Sequence, residues 1–136
     1  LDFTLTTPGL FEVQAIQTLA QELGVDVLAK VVFSFSPDIV MSPLALPRDV
    51  LHPWVDEILN GTPGGLPLTG SLRDILVQLK TRPTFAEQWP EEYQNGLIKG
   101  KRRVLELEKI RKDQYTFKDI MSNRKEALEW WNSIPD

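Results

Sequence analysis

An α/β fold that opens on a βαβ unit and continues as several helices is what this sequence predicts. Three observations carry that prediction. Leu1, Phe3 and Leu5 alternate with polar residues, the period-2 signature of a strand with two unlike faces. Phe11, Ile16, Leu19, Ala20 and Leu23 then recur at three- and four-residue steps, drawing one apolar stripe along a helix. The run Val25–Phe33 is rich in β-branched residues and nearly continuous in apolar character, as a strand covered on both faces is.

The connections fit the same reading. Pro8-Gly9 breaks the first strand, and Gly24 closes the helix where a left-handed residue is needed. Short turns between strand, helix and strand make a right-handed crossover with parallel strands. Past Ser34, the prolines at 37, 43 and 47 mark an ordered loop or extended crossing. Pro47 suits a helix start, with Val50, Leu51, Trp54, Val55 and Ile58 on one face up to Asn60-Gly61. Pro53 inside that run implies either a kink or a turn followed by a helix restarting near His52.

Residues 62–70, with three glycines and two prolines, read as a linker. This stretch lacks the GxxxxGK[ST] spacing of a phosphate loop and does not directly follow a strand. Ser71 and Asp74 then predict a capped helix carrying Leu72, Ile75, Leu76 and Leu79, stopped by Pro83. Thr84 and Glu87 repeat the capping pattern. A longer helix begins at Pro90 and places Tyr93, Leu97, Val104 and Leu107 on one face, with Ile110 or Arg111 continuing it. Gly96 and Gly100 weaken it and predict an interruption. Thr116 and Asp119 cap a short turn, and Asn123 with Glu126 starts a last helix through Trp130 and Trp131.

Composition narrows function mainly by exclusion. The chain has 136 residues, one domain's worth, with a net charge of −4 that argues against a nucleic-acid binder. With no cysteine it has no disulfide, thiol nucleophile or thiolate-bound metal, which is in keeping with a cytoplasmic location. No apolar run reaches the roughly 20 residues of a membrane span. Leu1 lies inside a strand without an initiator Met, so an excised piece of a longer protein is expected.

Few residues suggest chemistry. His52 is the one histidine, without a partner set for catalysis or metal binding, and reads as a packing or helix-terminal residue. The basic residues from Lys99 to Lys112, interleaved with Glu106 and Glu108, read as a solvated helix face with i,i+4 pairs. Trp130 and Trp131 point about 100° apart on a helix, so one of them is expected to meet another segment or chain. Thr4, Thr6, Thr7, Ser34, Ser36 and Asp38 stand at the carboxyl ends of the two strands, the edge where parallel sheets bind ligands. Equally, threonine favours strands and Ser and Asp favour turns, so both readings stand.

Several of these segments, in order, resemble a known family. Phe3–Thr7, the amphipathic helix, Leu23-Gly24-Val25, Val31-Val32-Phe33, Pro37-Asp38 and Leu44-Ala-Leu-Pro-Arg48 resemble the last strands of a radical SAM core. The tail, Leu107-Glu-Lys-Ile-Arg111 with Tyr115-Thr-Phe117 and Ile120, is similar to the closing helix of the subgroup with a shortened, twitch-type accessory region. The resemblance implies a partial (β/α) barrel over residues 1–61, a linker at 62–70 and a helical region at 71–136. It also implies a parent enzyme that uses a [4Fe–4S] cluster to cleave S-adenosylmethionine reductively and abstracts hydrogen from its substrate. Thr6, Thr7, Ser34 and Ser36 would face that cavity. The family's CxxxCxxC and Gly-Gly-Glu are missing, and Thr7-Pro8 stands where the subgroup usually has Asn. By itself this chain therefore holds no cluster and is expected to be inactive. A non-catalytic interaction module with exposed tryptophans is the alternative. Neither reading calls for a nucleic-acid or membrane partner. Two strands cut from a barrel leave open edges, so a homodimer or larger assembly is expected.

Overall fold

The computed structural model describes residues 2–31, 39–61, 68–112 and 114–136. Strands β1 (Asp2–Leu5) and β2 (Leu28–Val31) pair in parallel, with Phe3 opposite Ala29 and Leu5 opposite Val31. Between them run a 3-10 turn, Pro8–Glu12, and helix α1, Val13–Leu23. Gly24, at φ 67°, ends α1 with the Gly24 and Val25 amides bonded back to Gln21 and Ala20. That is the six-to-one and five-to-two pairing that a left-handed residue permits.

The sheet is covered on one face only. Leu5 and Ala29 are buried and Phe3 and Val31 pack beside them, while Asp2, Thr4, Leu28 and Lys30 on the other face are exposed. Strand β2 thus starts three residues later than the apolar run and lacks the second cover expected of it. The cause is placement: α1 and the rest of the described core lie on the Phe3–Leu5 side. The face that Leu28 shares with Lys30 has no layer over it among the described residues.

Helix α2 (Arg48–Asn60) is continuous through Pro53, where a break or kink was expected. Proline forfeits one backbone bond there, to the carbonyl of Asp49, and both residues are exposed so that water can take its place. Helix α3 (Gly70–Thr81) packs against α2 and β2. Ser71 does not cap it. Instead its hydroxyl accepts from the Ala29 amide at 2.8 Å and donates to the Ala29 carbonyl at 3.2 Å. One side chain thereby stands in for a neighbouring strand and closes the outer edge of β2 at that point. From the expected linker, Leu68 is buried and the Thr69 amide donates to Gln17, while residues 62–67 lie outside the described residues.

Helices α4 (Phe85–Gln88), α5 (Tyr93–Arg111), α6 (Phe117–Met121) and α7 (Lys125–Ser133) complete the chain. The predicted capping boxes form at Thr84/Glu87 and Thr116/Asp119. Helix α5 is uninterrupted: Gly96 and Gly100 are both buried, so tertiary packing offsets their low helix propensity. Helix α7 starts two residues later than predicted, since Asn123 is spent on the Ile120 carbonyl.

Both Trp130 and Trp131 are buried, at 6% and 1% exposure. Trp131 stacks on Phe117 at 4.3 Å between ring centres. The 100° between adjacent positions is accommodated because α7 is enclosed on more than one side, and no second chain is needed to cover either ring. Trp54 is buried as well and Trp89 half-buried, so the tryptophans do not form an exposed binding platform. One apolar cluster joins the two parts of the chain, from Leu5 and Val40 through Leu51 and Leu76 to Trp131. No described helix is long and apolar enough to cross a membrane. The fold is mixed α/β and mostly helical; residues 1–61 are not shown to be part of a barrel.

Candidate functional site

The site is built where one face of α5 faces Pro8 of the turn after β1, Met41 and the start of α6. Residues four apart share a helix face, so Arg103, Leu107 and Arg111 stand in one row with Val104 and Glu108 beside it. Opposite this row the chain leaves β1 through Thr6 and Pro8, and Met41 comes in from the adjoining 3-10 turn. Between them lies a cleft of about 470 Å³ with an apolar floor of Met41, Val104, Leu107, Phe117 and Ile120. Arg103, Glu108, Arg111 and Tyr115 supply its polar and aromatic walls. A second hollow of about 330 Å³ adjoins it, sharing Pro8, Tyr115 and Ile120 and reaching Thr6 and Phe3.

Glu108 fixes the far wall. Its carboxylate accepts from the Phe117 amide at 2.6 Å, tying the start of α6 to α5. The Thr116/Asp119 box completes that turn, with the Thr116 amide donating to Asp119 at 2.9 Å. These bonds hold the Asp119 carboxyl below its ordinary range, the Thr116 amide being the largest cause. Together they set Phe117 and Ile120 into the floor and leave Tyr115 at the rim, 64% exposed.

The strand-end residues separate into two roles. Thr6 lines the adjoining hollow, where its hydroxyl accepts from the Gly9 amide at 3.1 Å. A Cβ at Gly9 would meet that oxygen at 3.1 Å and the Phe3 ring at 3.3 Å, so a side chain there needs both neighbours to give way slightly. Thr7 is fully buried and points away from solvent. Its amide donates to Met41 at 2.8 Å and its hydroxyl to Val40 at 3.0 Å, so it acts as a strut joining β1 to the turn beneath α5. Ser34 and Ser36 lie outside the described residues.

Two residues from the basic run take unforeseen places. Arg103 and Arg111 wall the cleft instead of only facing solvent. Lys101 is buried at 5% exposure, with its Nζ donating to the carbonyls of Trp131 at 2.9 Å and Ile134 at 2.7 Å. The Asp136 carboxylate sits 2.9 Å away and is held below its usual range by that ammonium. A cation at the unsatisfied carbonyls of a helix end is favourable electrostatically. The i,i+4 spacing of Arg103, Leu107 and Arg111 was the available signal for the cleft; nothing local marked Lys101.

His52 sits on α2 near Arg48 and Lys80, with its Nε2 buried and unbonded. Burial first, then the two cations, lowers its pKa. It is remote from the cleft residues in sequence and shares no bond with them. Among the described residues no three His, Cys, Asp or Glu side chains converge as a metal site, and the chain has no cysteine for an iron–sulfur cluster. The residues present therefore do not fit the cluster that the family resemblance implies. Comparison of the chain with protein-family models, curated proteins and solved structures found no match.

Proposed function

We propose that this chain is the C-terminal portion of a radical SAM enzyme, supplying part of the barrel wall and a helical cover to the parent's substrate cavity. Cluster binding, reductive cleavage of S-adenosylmethionine and hydrogen abstraction belong to the parent, and the chain's own contribution is to shape and close the cavity. One observation carries the reading. Leu107, Arg111, Tyr115, Phe117 and Ile120, the residues of the tail resemblance, line the same cleft, and that cleft also takes in Pro8 from the turn that follows the carboxyl end of β1. Ligands bind at that end in parallel β/α folds. The uncovered face of the sheet, with Thr4 and Lys30 side by side in register, is a second support, since a barrel wall has helices outside and a lumen within.

The test is the complete gene product that contains this segment. Reconstituted anaerobically with iron and sulfide, it is expected to show cluster absorbance and to release 5′-deoxyadenosine from S-adenosylmethionine under reduction. A complete product with no CxxxCxxC and no cluster overturns the reading. Under the same treatment the isolated chain is expected to take up no stoichiometric cluster.

A further inference from the structure

We infer that the cleft between α5 and α6 binds a small amphiphilic acid, a carboxylate on an apolar body, with Arg111 gripping the carboxylate and Arg103 adding positive charge to the same wall. The inference concerns this chain alone and stands whether or not the parent is a radical SAM enzyme.

Volume and lining give the apolar half. A cleft of about 470 Å³ falls in the range of roughly 300–1,000 Å³ over which proteins enclose small molecules. Its floor of Met41, Leu107, Phe117 and Ile120 offers no polar side chain, and the exposed Tyr115 ring extends it to the rim. Water held against such a surface is released when an apolar stem covers it.

Charge gives the other half. Of the three ionised walls, Glu108 is committed to the Phe117 amide. Arg111 is exposed, and its guanidinium makes no hydrogen bond or ion pair with the described residues. Arg103 stands two helical turns away across Leu107 and adds a second positive charge on the same wall. A guanidinium presents parallel N–H groups matched to a carboxylate, and it stays charged at any working pH. Because the chain as a whole carries −4, an anion is disfavoured over the general surface, and this wall is a local exception. A cationic head meets repulsion here, and a neutral head leaves the Arg111 guanidinium unused.

Three ten-carbon probes that differ only in their heads make the test: decanoate, decan-1-ol and decyltrimethylammonium, each below its micelle concentration. Titrations would follow the methyl resonances of Val104, Leu107 and Ile120 in the full 136-residue chain. Decanoate is expected to shift those methyls and to bind at least about fivefold more tightly than either other probe, the factor one partly exposed charge-assisted contact supplies. Arg111→Gln is expected to remove most of that preference for decanoate while leaving decan-1-ol binding unchanged. Arg111→Lys retains the charge without the fork and is expected to fall between. Leu107→Glu is expected to abolish decanoate binding in a chain that still melts cooperatively. Equal affinity for all three probes, or decanoate binding unaltered by both Arg111→Gln and Leu107→Glu, overturns the inference.

Discussion

The two ends of the chain solve burial in opposite ways. Around α6 and α7 the sequence seals itself: Phe117, Met121, Ala127, Trp130, Trp131 and Ile134 are all buried, and Lys101 closes the carbonyls at the end of α7. Around β1, α1 and β2 it does not. Leu19, Leu23, Val25 and Leu28 remain exposed there, and a sheet of two four-residue strands has one face uncovered by the described residues. Two strands are marginal in water unless further layers cover them. Among the described residues they have α3 packed against β2, the Pro8–Glu12 turn against β1 and a single serine along one edge. The difference teaches that the helical end is finished by its own residues, while among the described residues the strand end leaves one face of its sheet without cover. The cleft lies where the two meet, and its apolar and charged walls come almost wholly from the finished end.

The largest expected effect comes from opening the sealed end. Trp131→Ala removes a ring that is 1% exposed and stacked on Phe117, and is expected to cost about 3–5 kcal/mol, measured by urea unfolding. That is a large share of the stability of any domain this size. Next is Lys101→Met, which keeps the apolar stem but strips the donor from two buried carbonyls. A loss of about 1–3 kcal/mol is expected, and a loss near zero would mean water replaces the ammonium at no cost.

At the strand end the corresponding change is Ser71→Ala. It leaves the Ala29 amide and carbonyl without the hydroxyl that pairs both, and about 1–2 kcal/mol should be lost. The reopened edge gives a second readout. Sedimentation equilibrium is expected to show the variant associating more strongly than the parent chain, because β2 then offers unpaired groups to another strand. Association unchanged by the substitution would show that this edge plays no part in self-assembly.

The smallest effect expected is pH-dependent. The Glu87 carboxyl is lowered to about 2, first by the Thr84 amide and then by Arg48, whose Nη2 lies 2.8 Å from one oxygen and 2.9 Å from the other. Its folded pKa is below its unfolded one, so the stabilisation is complete above about pH 4.5 and is lost as pH falls towards 2. Glu87→Gln is expected to flatten that part of the acid-unfolding curve and leave the curve above pH 5 merely displaced. Because the pair is exposed to solvent, salt should shrink the difference.

Much of the fold was legible because local chemistry dictated it. The Schellman turn at Gly24 and the boxes at Thr84 and Thr116 each follow from residues within a few positions. The parallel pairing of β1 and β2 likewise follows from a short strand–helix–strand run. What was not legible depended on distant partners. Ser71 had the look of a helix cap, but Ala29, 42 residues away, competes for its hydroxyl and wins both bonds. Lys101 sits in a run of charges whose neighbours are solvated, and only the arrival of α7 buries it. The continuity of α5 through Gly96 and Gly100 has the same origin, since propensity of about 1 kcal/mol per glycine yields to tertiary packing. At the site, Thr6 lines the hollow beside the cleft. Thr7, one residue on, is already past β1 and helical at φ −54°, ψ −51°, where it opens the Pro8–Glu12 turn and sends its hydroxyl inward to the Val40 carbonyl. Arg103 and Arg111 were visible only as charge until helical spacing put Leu107 between them.

Amide hydrogen exchange, read residue by residue, tests the contrast between the two ends most directly. In the isolated chain, the β1 and β2 amides are expected to exchange far faster than those of the middle of α5 and of α7, since local opening of an uncovered sheet costs less than opening a sealed core. Strand amides already as protected as α5 in an isolated, monomeric chain would contradict the account, because the sheet would then need no further layer.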